Sequence, residues 1–405
     1  MPPARGPMHA VRPLALLGLL ALFVAVLPSA MGVACGADRS AGAPEAATAT
    51  SEPAATPPPP AVALDAPGEV HQGIPARLAG SARSTVAGDL QVRIDFGDGV
   101  SATATAGGDG AFAFEHTYLA AGPLHATVEV TGPTGTGRGE APVAVIERRI
   151  VFVQGMNSES GCPGGRHFLD RAPEWVGSAL AVEGPMRVGH ADAAFFSYSG
   201  KYCGGAGGVA GAAPDYGEGD TCASIDTVTA PRLRALVDAL APAKVTVIAH
   251  SMGGLVTAYL AASDPSWARE RIASVVTFDS PLGGIDTPRA EILGLAGMPD
   301  GGCGRGSGAM DDLRAGSGVT RAAAAAASVV PLFTIDGVSG EDAALGWREA
   351  VPGGRTSLPN EAAHLEVAEG HSEIWTRAPS GSGAAKAGII ACALVPSAPC
   401  RLPTN

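Results

Sequence analysis

Residues 244–254 read Lys-Val-Thr-Val-Ile-Ala-His-Ser-Met-Gly-Gly, and Leu255-Val256-Thr257-Ala258-Tyr259-Leu260-Ala261-Ala262 follow. The first half predicts a short β-branched strand and the last eight residues a helix. Between them the chain must turn abruptly, with Ser251 at the apex. Strand, tight turn and helix is the context that pushes a serine hydroxyl out at the top of a sheet as a nucleophile. Ala249 and Gly253 flank the serine at the two positions where a small residue leaves room for so sharp a bend. Glycine is usual at the first of them, so Ala249 departs slightly from the G-x-S-x-G pattern. The competing reading is an ordinary strand-to-helix turn with Ser251 as helix N-cap. Residues farther along the chain decide between the two.

The sequence has 405 residues, room for two or three domains and a sizeable core. Hydrophobic residues make up 46% and charged residues 16%, a globular composition. A net charge of −12 and the absence of any basic run argue against nucleic acid as a partner. No metal-ligand spacing, dinucleotide fingerprint or phosphate loop occurs, so neither a metal nor a cofactor is expected.

Residues 1–35 read as a targeting segment. Arg5 and Arg12 precede an uncharged apolar run, Leu14–Leu27, and small residues follow at Ser29, Ala30, Gly32 and Ala34. That run is shorter than the ~18–20 residues of a spanning helix and suits the core of a signal peptide, so export is expected. Cys35, within Gly32-Val33-Ala34-Cys35-Gly36, partly resembles a bacterial lipobox, with Gly32 where that pattern wants Leu. Lipid on Cys35 would anchor the protein to a membrane surface; removal of Cys35 with the signal peptide would leave it secreted. Either way six cysteines remain (Cys162, Cys203, Cys222, Cys303, Cys392 and Cys400), an even number that reads as three disulfides in an oxidising compartment. Proximity in sequence favours Cys203–Cys222 and Cys392–Cys400, which leaves Cys162–Cys303.

Residues 36–62 are almost wholly Ala, Pro, Thr, Ser, Gly and Glu and end in four prolines, a semi-extended tether. Residues 63–147 alternate polar and apolar at Leu90–Phe96, Ala111–Phe114 and His125–Val130, with Gly- and Asp-rich turns between. This predicts a small all-β sandwich. Asp95-Phe96-Gly97-Asp98-Gly99, followed by His116-Thr117-Tyr118, resembles the polycystic-kidney-disease (PKD) repeat. The resemblance implies a spacer, or a module that contacts a cell surface, polysaccharide or protein. His116 and Asp98 are then expected to fix turns.

From residue 148 to 405 strand-like runs alternate with helical ones, which implies a parallel sheet with helices on both faces, an α/β fold. A serine nucleophile needs a base, and histidine is the usual one. Only His364 and His371 lie beyond Ser251. His364 precedes the strand Leu365–Ala368 and would sit at its wrong end, whereas His371 follows it at the edge where Ser251 emerges. The acid is expected after the preceding strand, Val330–Ile335, where Asp336 and Asp342 qualify. Asp342 is preferred because a longer loop can swing back over the sheet. Backbone amides of Met252 and of Met156, in Gln154-Gly155-Met156-Asn157-Ser158, are the candidates for binding an oxyanion.

Several segments together resemble lipase- and esterase-like α/β-hydrolases over residues 148–378. Val151–Ser158 resembles their F-V-H-G-x-x-S opening, with Gln154 in place of His. His250-Ser251-Met252-Gly253-Gly254 resembles their nucleophile elbow, Thr277–Gly284 the segment after the next strand, and Gly370-His371-Ser372 the histidine turn. Some members of that family carry the acid after the strand corresponding to 273–278, so Asp279 is a third candidate only through the resemblance. The resemblance implies hydrolysis of carboxylic, lipid or acyl, esters through an acyl-enzyme on Ser251. Two rivals stand beside it: a surface-binding protein with a relic hydrolase domain, and an amidase or acyltransferase on the same fold. The insert 285–319 reads equally as a cap over the site or a disulfide-pinned loop.

Overall fold

The strand Val245–His250 is buried at all six positions and lies at the centre of a parallel sheet; of its neighbours, Ile272–Phe278 is buried throughout and Arg149–Val153 at all positions but Arg149. The computed structural model describes residues 56–162, 193–204, 212–285, 303–304, 306–337, 358–371, 374, 382–395 and 400. The targeting segment with Cys35, and Asp342, lie outside these residues. So does most of the tether and the start of the helix expected from Ser372. Among the described residues no helix is long and apolar enough to cross a membrane.

The N-terminal strands form the expected sandwich. β1 (Ala61–Asp65), β3 (Pro75–Arg83) and β6 (Ala111–Thr117) make one sheet, in the order β1-β3-β6. The second sheet runs β2 (Glu69–His71), β8 (Gly135–Ile146), β7 (Gly122–Gly132), β4 (Gln91–Asp95), β5 (Ser101–Thr105). Alternation along β4 and β6 puts Val92, Ile94, Phe112 and Phe114 into the shared core. The PKD-like turn is held by its own side chains: Asp95 and Asp98 accept from the amides of Gly97 and Val100, and His116 Nε2 lies 2.7 Å from Asp98 Oδ2. The His116 ring stacks on Phe96 at 4.0 Å. His116 and Asp98 therefore do structural work, as their place in the repeat implied.

The second part is an α/β/α layer structure. β9 (Arg149–Val153), β10 (Ala193–Phe195), β13 (Val245–His250), β14 (Ile272–Phe278), β15 (Leu332–Gly337) and β16 (Ala363–Val367) form a parallel sheet in the order β10-β9-β13-β14-β15-β16. β11 (Lys201–Tyr202) and β12 (Pro214–Asp215) form a separate hairpin. Alternate residues face opposite layers, as the pleat requires. Val151, Val247 and Val275 pack under α1 (Ala230–Ala239) and α2 (Met252–Ser263). The same layer holds α3 (Pro265–Arg271), α4 (Gly308–Leu313) and α5 (Gly318–Ala323). Phe152, Ile248 and Val276 pack under α6 (Ser382–Leu394). Burial on both faces explains why these strands read as continuous apolar runs. Pro231 sits in the first turn of α1, where its missing N–H costs nothing.

Sandwich and sheet meet at Arg148, which is 1% exposed. Its backbone N–H donates to Gln72 Oε1, its Nε to the Gln72 carbonyl and its side chain also to Thr246 Oγ1. Burial lowers its pKa to about 10, still well above neutrality, so the guanidinium stays charged.

The cysteine pairing departs from sequence proximity. Cys392–Cys400 forms as expected, but the other bonds are Cys162–Cys203 and Cys222–Cys303, not Cys203–Cys222 and Cys162–Cys303. Cys203 is tied into the hairpin β11/β12, its N–H donating to the Ala213 carbonyl, while Thr221, next to Cys222, meets Cys303 Sγ at 3.4 Å. Closeness in three dimensions overrides closeness along the chain.

Candidate active site

Ser251 occupies a backbone conformation that only a specified turn produces. Its φ is +54° and ψ −131°, a region costing a non-glycine residue about 1–3 kcal/mol. Full burial of Val245, Val247 and Ile248 beside it supplies about 1.5–3 kcal/mol each, so the sheet outweighs the strain. The turn is also hydrogen-bonded: Ser251 N–H donates to the Phe278 carbonyl at 2.9 Å and Gly254 N–H to the Ser251 carbonyl at 3.0 Å.

Three glycines permit the surrounding chain to close in. A Cβ on Gly253 would lie 2.5 Å from the Gln154 carbonyl oxygen, and one on Gly254 would lie 2.1 Å from Ser280 Oγ. A Cβ on Gly155 would lie 2.5 Å from Ser251 Cβ and 3.0 Å from its Oγ. The loop after β9 is therefore pressed against the serine, which puts Met156 beside it. Met252 opens α2, whose first amides have no partner within the helix and point their partial positive charge at this end.

His371 Nδ1 lies 2.8 Å from Asp279 Oδ2. A carboxylate only accepts, so Nδ1 carries the proton and Nε2 is left as the basic nitrogen. Asp279 is 1% exposed, has φ +45° and is pinned by its own N–H to the Ile335 carbonyl at 2.7 Å. Gly337 N–H donates to its second oxygen at 3.3 Å. Asp336 is placed elsewhere: its Oδ2 lies 3.6 Å from Nδ1 of His364, which also meets Thr334 Oγ1 at 2.8 Å. His364 lies inside β16, opposite Thr334, and not in the turn that follows.

The residue before the serine has a part that its sequence position did not announce. His250 is buried, and its Nε2 donates to the His371 carbonyl at 3.1 Å; the rings sit 4.7 Å apart. Burial first, and His371 second, hold its pKa well below the usual 6.5, so it is neutral and adds no charge beside His371. Gln154 is buried as well. Its carbonyl accepts from Tyr198 OH at 2.5 Å and its side-chain oxygen from Tyr216 OH at 3.1 Å. Burial pushes Tyr198 far up and Tyr216 to about 12, so both remain donors. Asn157, with φ +58°, receives support from both directions: its N–H donates to Thr221 Oγ1 and its Oδ1 accepts from Cys303 N–H, each at 3.0 Å. Tyr216 carried no signal in the sequence, because its role depends on a hairpin folding back over the loop.

Ser251, His250 and His371 line one cleft of about 320 Å³ with Gln154, Gly155, Met156 and Asn157. Ser158, Glu159 and Glu218 extend it with polar groups. Among the described residues no group of His, Cys, Asp and Glu is arranged to hold a metal ion.

The family of the alpha/beta hydrolase fold matches residues 200–302, a stretch that holds Ser251 and Asp279 but not Met156 or His371. No curated protein matches the chain significantly. Among solved structures, the chain is similar to carboxyl esterase 2 of the fungus Tuber melanosporum, with 14% identity over 65% of this chain and 83% of that one, TM-score 0.29. It is similar to an esterase of the archaeon Pyrobaculum calidifontis, with 13% identity over 67% and 83%, TM-score 0.27. The PKD domain of an M14-like peptidase from a Thermoplasmatales archaeon matches at 17% identity over 22% of this chain and 94% of that one, TM-score 0.19. TM-scores this low say nothing about activity. The family match, the parallel sheet and the strained serine between strand and helix give this chain the α/β-hydrolase fold, preceded by a PKD-like sandwich.

Proposed function

We propose that the protein is an exported serine hydrolase that cleaves carboxylic esters, with Ser251 as nucleophile, His371 as base and Asp279 as the acid that orients it. One observation carries the reading: His371 presents Nδ1 to the buried Asp279 carboxylate at 2.8 Å while sharing a cleft with the strained Ser251. In this scheme Ser251 Oγ attacks the ester carbonyl carbon and its proton passes to His371 Nε2. Asp279 keeps the imidazole in the productive tautomer and stabilises the imidazolium. The amides of Met252 and Met156 bind the oxyanion of the tetrahedral intermediate. Collapse expels the alcohol, which takes the proton from His371 and leaves an acyl group on Ser251. Water, deprotonated by the same nitrogen, then releases the acid.

The polar groups in the described lining, Asn157, Ser158, Glu159 and Glu218, favour small or polar acyl groups over long lipid chains. Three formed disulfides suit an oxidising compartment, and the sandwich serves as a spacer between tether and enzyme. Hydrolysis of p-nitrophenyl esters of increasing acyl length tests the reading. Activity is expected to be highest with acetate or butyrate and to vanish in Ser251→Ala. An inactive wild type across the series contradicts it.

A further inference from the structure

We infer that Lys386 and Glu369, a buried ion pair behind the histidine turn, are positioning residues that hold His371 in register for the ester hydrolysis proposed above; the inference rests on that reading. Lys386 is fully buried on α6 and Glu369 is 5% exposed. Lys386 Nζ lies 3.0 Å from Glu369 Oε1 and donates to the Ile374 carbonyl at 2.7 Å. The two anchored residues bracket His371, and Ile374 N–H donates to the Gly370 carbonyl at 2.9 Å, closing the turn. One ammonium group thus grips the turn on both sides of the base.

Stability alone is a poor reason to bury such a pair. Stripping water from two charges costs several kcal/mol per ion, and apolar replacements of similar volume are often neutral or stabilising. An apolar pair would lack direction, whereas an ammonium offers three donors to fixed partners. The anchor is also rigid. α6 packs Ile389, Ile390, Ala393 and Leu394 against Phe278, Ile335 and Val367, on the strands that precede Asp279, contain Asp336 and lead into the histidine turn. The front of the turn is held by His250 at the His371 carbonyl and by Asp279 at its ring. Lys386 supplies the hold from behind. A general base displaced by about 1 Å loses roughly 100-fold in rate, so a small slip of this turn is enough to matter.

Lys386→Met alone would take one partner from the buried Glu369 carboxylate, and unfolding would obscure the result. The informative variant is Lys386→Met/Glu369→Gln, in which both members are neutral and similar in volume. The expected result with p-nitrophenyl acetate is a kcat lower by about 10- to 100-fold, KM within about twofold and a melting temperature close to wild type. The low-field proton resonance of His371 Nδ1–H, which needs no substrate, should broaden or disappear. A folded double variant with wild-type kcat and an unchanged resonance overturns the inference. An inactive wild type contradicts the proposed hydrolysis instead, and the resonance still reports on the clamp: retained in the double variant, it overturns the clamp.

Discussion

Asp279 and His371 stand 92 residues apart in the chain and 2.8 Å apart in the fold. The register of the sheet explains the meeting. His250 pairs with Phe278, so the next residues, Ser251 and Asp279, leave adjacent strands at the same level. Strands lie about 4.8 Å apart, which puts a carboxylate after β14 one strand from Ser251 and a carboxylate after β15 two strands away. The turn carrying His371 reaches back across β15 to close the gap. Asp279→Asn is expected to lower kcat by about 10,000-fold, because the amide no longer selects the productive tautomer. Asp336→Asn and Asp342→Asn should stay within about threefold of wild type, and a large loss in either would move the acid there.

The strand, turn and helix around Ser251 were legible in the sequence because they are local. Four adjacent features (β-branched strand, small residue, serine, glycine) specify the turn around Ser251, and chain order singles out His371 as the proposed base. The acid was not legible in the same way. In the sequence Asp336, Asp342 and Asp279 all stand after strand-like runs, and the preference for Asp279 comes from sheet order and pairing, with Asp336 lying inside β15. The cysteines show the same limit: Cys392–Cys400 spans one helix end and could be read, whereas Cys222–Cys303 depends on Thr221 and Asn157 converging on the site.

Gly155 is the position where the least added mass should cost the most activity. The Cβ of Gly155→Ala would fall 2.5 Å from Ser251 Cβ, so either the serine or the Met156 amide must move. Misplacing one oxyanion donor costs about 100- to 1,000-fold in kcat. Steady-state kinetics should show that loss with little change in melting temperature, and retained kcat would remove Met156 from the proposed oxyanion site.

The Cys222–Cys303 bond should couple redox state to both stability and rate. It closes a span of 81 residues, and a disulfide of this kind contributes about 2–4 kcal/mol. Cys303 N–H also supports Asn157 in the loop beside Ser251. Cys222→Ser/Cys303→Ser is expected to melt lower and to lose kcat while folded; thermal melts and kinetics below the transition check both.

Acid should destabilise the protein through two histidines whose pKa values lie below the usual 6.5, buried His250 and half-buried His71. His250 is held well below 6.5 by burial and by His371, and His71 is lowered by burial and by Lys244 and Arg148. Unfolded, both take up protons near pH 6.5; folded, they resist. Their contribution is complete above that value and is lost as pH falls toward the folded pKa values. Melting temperature should drop between pH 7 and 5, with a shallower slope in His250→Gln. An identical slope in that variant would show that His250 titrates normally in the fold.

Mapping the adduct of a fluorophosphonate probe tests the assignment of Ser251 most directly. The wild type should be modified on the peptide containing Ser251, Ser251→Ala should remain unmodified, and Asp279→Asn should react at least about 1,000-fold more slowly. An unlabelled wild type, an adduct on another residue, or undiminished labelling of Asp279→Asn would contradict the account.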